Sequence, residues 1–154
     1  MPIHYLDASA WVKRYVSEEG SKRVNAWMNQ NPLVASAALG VTEVLCTVVR
    51  MARAGDLSPT ERDRIVDHAW ADFDAFAHVY HTAPVMARAR EVALHFGLRG
   101  ADTVHLASAL WLKDHPPSGI EEITTITSDR ELAEAAEQAG LPVFDPTRAS
   151  LPEP

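Results

Sequence analysis

Four carboxylates occupy positions where an α/β chain gathers distant residues together. Asp7 ends the apolar run IHYL, Glu43 lies within GVTEVLCTVVRMA, Asp102 opens LRGADTVHLASALWL, and Asp129 follows EITTITS. Asp7 and Asp129 stand just past the carboxyl end of an expected strand, where open parallel sheets place their ligand sites. If those strands are neighbours, the acids share one cleft. Clustered carboxylates repel one another, and raised pKa values or a bound cation relieve the repulsion. Such a cluster outlines a metal-dependent enzyme. Oxygen donors of this kind suit Mg²⁺ or Mn²⁺, which keep several waters and take one or two carboxylates plus substrate phosphate.

Each acid also has a structural reading. Asp7, Asp102 and Asp129 all precede helices, where Asp accepts backbone N–H bonds and complements the helix dipole. Taken singly, each is better explained as a cap. Ser128 and Glu131 form an S-x-x-E capping box in which Asp129 occupies the first helical position. Glu43 falls opposite the stripe Val41, Val44, Leu45, Val48 and Ala52, in line with Thr47 and Arg50, so it faces either solvent or a cleft. Asp102 opens a helix too apolar to lie at the surface, which weakens its reading as a solvated cap. Ser9, two residues after Asp7, could orient a metal-bound water or satisfy helix-start backbone. His105, one turn from Asp102, reads as a packed, hydrogen-bonded His rather than a base. The seven His are scattered without zinc spacing, and no phosphate-binding glycine motif or nucleophile elbow is present.

The elements that must position these residues alternate. A strand is expected at 3–6, helices at 9–18 and 21–29, and a strand at 33–37. A helix over 41–54 stops at Gly55. Ser58-Pro59-Thr60-Glu61 starts another as a capping box, with Ile65, Val66, Ala69, Trp70, Phe73 and Ala77 on its apolar face. A strand at 78–82, a helix from Pro84 to Gly97, and a central buried helix at 101–114 follow. A strand at 123–127, a helix at 129–139 and a strand at 142–144 complete the pattern. This alternation predicts a parallel sheet of five short strands between helical layers. Residues 1–145 form one domain, and 146–154 a loosely ordered tail.

A chain of 154 residues can bury about two thirds of its unfolded surface in one core. With 47% hydrophobic and 23% charged residues it has the composition of a soluble globular protein, with no stretch long enough to cross a bilayer and no leader-like N-terminus. A cytoplasmic location is expected, with Cys46 a buried, inert thiol in its apolar helix. The net charge of −7 excludes a general nucleic-acid-binding surface and favours a basic partner. Nucleic-acid contact must be local, with Lys13, Arg14, Arg50, Arg53, Arg88, Arg90, Arg99 and Arg130 as candidates, most of them better read as a solvated face.

The segments YLDASAWVKRY, LRGADTVHLASAL and TITSDRELAEAAEQAGLPVFDP, with Glu43 isolated in an apolar helix, together resemble the PIN-domain family, in particular its VapC-like ribonuclease toxins. The likeness spans nearly the whole chain in order. It implies a three-layer α/β/α fold with strand order 3-2-1-4-5, a helical hairpin from the 41–76 region, and an acidic pocket for Mg²⁺ or Mn²⁺. Asp7 and Asp102 match the family's principal metal-binding aspartates, Glu43 and Asp129 its remaining catalytic acids. The implied activity is hydrolysis of RNA phosphodiester bonds to a 5′-phosphate and a 3′-hydroxyl. The implied context is a type II toxin–antitoxin pair: a homodimeric toxin silenced by a small antitoxin with a basic C-terminal segment. A housekeeping RNA-processing nuclease of the same family and a non-catalytic binding scaffold are the alternatives, the latter disfavoured by the presence of all four acids. A haloacid-dehalogenase-type phosphatase is weaker still, because Ser9 stands where its second Asp is expected.

Overall fold

The computed structural model describes residues 1–148 and 152–154. Its centre is β1 (Pro2–Leu6), which pairs in parallel with β2 (Val34–Ala37) on one side and β4 (Glu122–Ile126) on the other. β3 (Ala77–Val79) and β5 (Val143–Phe144) add parallel edges, giving the order β3-β2-β1-β4-β5. This is the expected five-stranded sheet and strand order. Residues 3–6 are buried without the polar alternation of a one-sided sheet, because helices cover both faces.

Two cores follow from the alternating side chains of β1. Ile3 and Tyr5 face α5 (Ala83–Phe96), α6 (Gly100–Asp114) and α7 (Arg130–Gln138), among Val85, Val92, Leu106, Leu110 and Leu132. Leu6 faces α1 (Ala8–Trp11), α2 (Ser21–Met28), α3 (Leu39–Ala54) and α4 (Pro59–Ala75), among Trp11, Val34, Val44, Val48 and Ile65. α6 buries eight of its fifteen residues, as its all-round apolarity predicts. α4 begins at the expected capping box, with Ser58 Oγ accepting from Glu61 N–H and Glu61 accepting from Ser58 N–H.

Three local expectations need correcting. The helix expected at 9–18 is only α1 followed by a 3-10 turn at Val12–Arg14. There the chain bends so that Lys13 pairs with Glu18 at 2.8 Å and Arg14 and Tyr15 both reach Asp72 on α4, before Gly20 turns at φ +88°. On α4, Ile65 and Ala69 are buried while Trp70 is half exposed, and Ala77 belongs to β3. The strand expected at 78–82 is shorter, because Tyr80 to Thr82 already turn toward α5. Of the tail, Pro146 and Thr147 carbonyls accept from Arg23 and that of Pro152 from Trp27, while 149–151 lie outside the described residues.

Candidate active site

β1 and β4 are neighbours, so the corners that follow them meet. Asp7 opens the first corner as the N-cap of α1, its Oδ1 accepting from Ala10 N–H at 3.1 Å. A cap this short is a weak reason to bury a carboxylate, yet Asp7 is only 3% exposed. Ser9 Oγ lies 2.9 and 2.8 Å from its two oxygens and also accepts from the N–H of Ser128, 2.9 Å away on the second corner. Ser9 therefore holds Asp7 and joins the two corners.

At the second corner the capping register differs from the sequence reading. Asp129, not Ser128, is the N-cap of α7, its Oδ1 accepting from Leu132 N–H at 2.9 Å. Thr127 Oγ1 accepts from Asp129 N–H at 3.0 Å, which holds Asp129 in extended backbone and moves the helix start one residue along. Ser128 Oγ, freed from capping, is buried with no hydrogen-bond partner among the described residues.

Asp102 is not a cap. The N-cap position of α6 is Arg99, and Asp102 lies in the first turn, where its carboxylate meets Arg99 Nε at 3.6 Å. The same guanidinium reaches Asp129 Oδ2 at 3.6 Å and spans the mouth between α6 and α7. Glu43 comes from α3, and its stripe with Thr47 and Arg50 is a cleft wall. Gly40, one turn earlier, brings α3 this close, since a Cβ there would stand 2.6 Å from Ser36 Oγ. Behind Glu43, His105 Nε2 lies 2.6 Å from Oε1 and Nδ1 lies 2.8 Å from Tyr5 Oη. His105 is thus packed and hydrogen-bonded, as its position suggested.

All four acids and Ser9 line one cleft of about 750 Å³, together with Lys13, Arg50 and Arg99. Lys13 is buried rather than part of a solvated face, because it pairs with Glu18 inside the 3-10 bend. Cys46 is exposed on the cleft wall, correcting its expected burial. It lies three residues beyond Glu43, about 60° round the helix and on the same side. Sequence reasoning passed over Tyr5 and Thr127. A Tyr in a fully buried strand was the available signal for the first, since its hydroxyl needs a partner.

Burial pushes the Asp7 carboxyl above its ordinary range, against the opposing hydrogen bonds of Ser9 and the Ala10 N–H. Asp102 is raised by burial and by the charges of Asp129 and Asp7, with the Arg99 guanidinium opposing. Among the described residues no three His, Cys, Asp or Glu converge tightly enough to grip one ion between them. The donor set nonetheless fits a hard cation. It is all oxygen, its two strained carboxyls lie across one cleft, and Mg²⁺ needs only one or two protein carboxylates with water for the rest.

This topology, with acids at the joined ends of β1 and β4, defines a known class. A family model of the PIN domain matches residues 4–138, and the chain belongs to the PIN-domain family. It is 36% identical over 141 residues to Ribonuclease VapC45 and to Ribonuclease VapC49, both of Mycobacterium tuberculosis, each match covering 91% of this chain and 93% of the relative. The structure of FitAB bound to an IR36 DNA fragment superposes with a TM-score of 0.67 at 18% identity, over 96% of this chain and 98% of that one. VapC20 of Mycobacterium tuberculosis, a toxin that cleaves the sarcin–ricin loop, gives 0.60 at 14% identity, over 90% and 95%. At such identities these structures speak for the fold alone. Among the described residues, no helix is long and apolar enough to cross a membrane.

Proposed function

We propose that this protein is an endoribonuclease that hydrolyses RNA phosphodiester bonds with Mg²⁺ or Mn²⁺ at the four-acid cleft, and that it is the toxin of a type II toxin–antitoxin pair. One observation carries the reading. Asp7 and Asp129, at the ends of adjacent strands, share a cleft with Asp102 and Glu43 in a chain of the PIN-domain family. The relatives named as VapC ribonucleases support the substrate and the toxin role.

Asp7 and Asp102 would hold the ion, the former fixed by Ser9 and the latter supported from the first turn of α6. When bound, the ion supplies Lewis acidity that polarises a phosphoryl oxygen and makes water a stronger nucleophile. Glu43 and Asp129 complete the acidic pocket. Arg50 and Arg99, exposed at the cleft, would give an otherwise acidic molecule local positive charge for the RNA backbone, while Lys13 is already paired with Glu18. Water attacking the phosphorus in line with the 3′-oxygen, which leaves and takes up a proton, would give the 5′-phosphate and 3′-hydroxyl that the family resemblance implies. A homodimer in the cytoplasm is the expected form. The antitoxin would silence it by bringing an Arg or Lys of its C-terminal segment to these carboxylates, where a cation substitutes for the metal's charge.

The test is cleavage of RNA in Mn²⁺ by the wild type and by Asp7→Asn. The variant and an EDTA-treated wild type should both be inactive. Cleavage at wild-type rate in either would overturn the proposal.

A further inference from the structure

One buried polar chain runs from the sheet to the cleft. Tyr5 Oη accepts the N–H of Ala37 at 3.0 Å and stands 2.8 Å from His105 Nδ1. The other nitrogen of that ring, Nε2, is 2.6 Å from Glu43 Oε1. Tyr5 and His105 are each 1% exposed, whereas the Glu43 side chain, 31% exposed, lines the cleft. The chain therefore joins β2, β1, α6 and α3 and ends at an acid.

The direction of each bond follows from what each group can give. A carboxylate only accepts, so Nε2 carries the proton facing Glu43. In the neutral ring Nδ1 is then the acceptor, and Tyr5, having used one lone pair on Ala37, donates its hydroxyl proton to Nδ1. Each donor has one acceptor along the whole path. Such a fully satisfied buried network is rigid, because leaving any member unpaired in low dielectric is costly.

Glu43 gains most from this rigidity. It sits on a half-exposed helix face with Thr42 and Cys46, both exposed, beside it, and its long side chain would otherwise sample several rotamers. We infer that His105, oriented by Tyr5, is the positioning residue that fixes the Glu43 carboxylate at the cleft, so that a buried pair on the sheet side sets the geometry of the reacting pocket. The inference rests on the nuclease reading above for its catalytic consequence. The hydrogen-bond chain itself stands on the geometry. Partners of this kind, which orient a functional carboxylate without touching substrate, affect activity by roughly 10–100-fold when removed.

The experiment is a double-mutant cycle with a spectroscopic arm. His105→Leu should slow RNA cleavage by about 10–100-fold, whereas His105→Gln, whose amide N–H can replace Nε2–H, should recover most of that loss. Combined with Glu43→Gln, His105→Leu should cost no more than about twofold further, because its effect passes through a carboxylate that is already gone. A full second loss in the Glu43→Gln background, or a His105→Gln protein as poor as His105→Leu, would overturn the inference. The second arm needs no activity. In nitrogen-15 spectra of the folded wild type, the His105 ring should show a proton on Nε2 and none on Nδ1. Its Nε2–H resonance should move in Glu43→Gln and its Nδ1 resonance in Tyr5→Phe. Unmoved resonances would remove the chain. A wild type inactive on RNA but with shifting resonances would refute the nuclease reading and leave the positioning of Glu43 standing.

Discussion

Ser9 Oγ lies 2.9 and 2.8 Å from the two carboxylate oxygens of Asp7. A hydroxyl has one proton, so it serves one oxygen at a time, while its lone pairs accept the N–H of Ser128 from the opposite corner. Asp7 thus has its rotamer set by a residue that also pins the end of β4 to the end of β1. Beside the two readings of Ser9 that the sequence left open, orienting a metal-bound water and satisfying helix-start backbone, the structure sets a third, a clasp between corners. Burial raises the Asp7 pKa, and this hydroxyl is among the groups that oppose the rise.

Ser9→Ala should therefore cost both stability and activity. It leaves the half-buried Ser128 N–H without its acceptor, a loss toward the lower end of the about 1–3 kcal/mol that a fully buried donor costs. It also frees Asp7, and an orienting partner of a functional carboxylate is worth about 10–100-fold in activity. Urea unfolding and RNA cleavage in Mn²⁺ measure the two losses. An unchanged cleavage rate alongside a clear stability loss would confine Ser9 to the fold.

Asp102→Asn separates electrostatic strain from helix capping. Asp102 caps nothing, and its pKa is raised by burial and by its acidic neighbours, so removing the charge should raise the melting temperature without metal. With Mg²⁺ at about ten times its dissociation constant the wild type should gain roughly 1.4 kcal/mol, on the order of 3–6 °C, which the variant should largely lack. Melting curves in EDTA and in excess Mg²⁺ give the comparison. Equal Mg²⁺ shifts in the two proteins would take Asp102 out of the metal site.

How much of this was legible depended on how local the cause was. The strand before Asp7, the capping box at Ser58 and the buried α6 are written in contiguous residues, and the structure carries all three. Position along α3 placed Glu43 and Thr47 off the apolar stripe, but Cys46 was misread because the helix's average apolarity was applied to a residue on its polar side. Ser128 and Asp129 are both good caps, and only Thr127 Oγ1, holding the Asp129 N–H, decides between them. Lys13 became a buried residue because the chain bends toward Glu18, which no periodicity announces. The pairing of Tyr5 with His105 spans 100 positions, and spacing carries no trace of it.

Gly40→Ala tests how closely α3 must approach the sheet. The added Cβ would meet Ser36 Oγ at 2.6 Å and the Trp11 ring at 3.4 Å, and Ser36 is held by its bond to the Leu6 carbonyl at 2.7 Å. Overpacking of this kind costs about 1–3 kcal/mol. Ser36→Ala removes the nearest obstacle, so the double variant should recover part of the loss that Gly40→Ala causes alone. Purely additive losses in thermal melts would show that the contact with Ser36 does not limit the helix.

Acidification should stabilise the metal-free protein through Asp7. Its folded pKa lies above the ordinary 3.8, so between the two values the folded state holds more protons than the unfolded chain. The resulting contribution is fully present below the unfolded pKa and is lost as pH rises through the folded one. Asp102 contributes with the same sign. His4 opposes both. Burial lowers its pKa from 6.5, so the unfolded chain takes up that proton first, and stability is lost as pH falls below that value. The wild-type curve therefore mixes two signs, and the difference between wild type and Asp7→Asn isolates one of them, since Asn caps a helix about as well as Asp. In EDTA the wild type should gain on the variant as pH falls from neutrality toward the carboxylate range. Saturating Mg²⁺ should invert that trend, because protons then compete with the ion for the same oxygens and binding weakens in acid. Melting temperatures of both proteins across this range, with and without Mg²⁺, read the sign directly. A wild-type advantage that shrinks on acidification in EDTA would show that Asp7 is not held above its ordinary pKa.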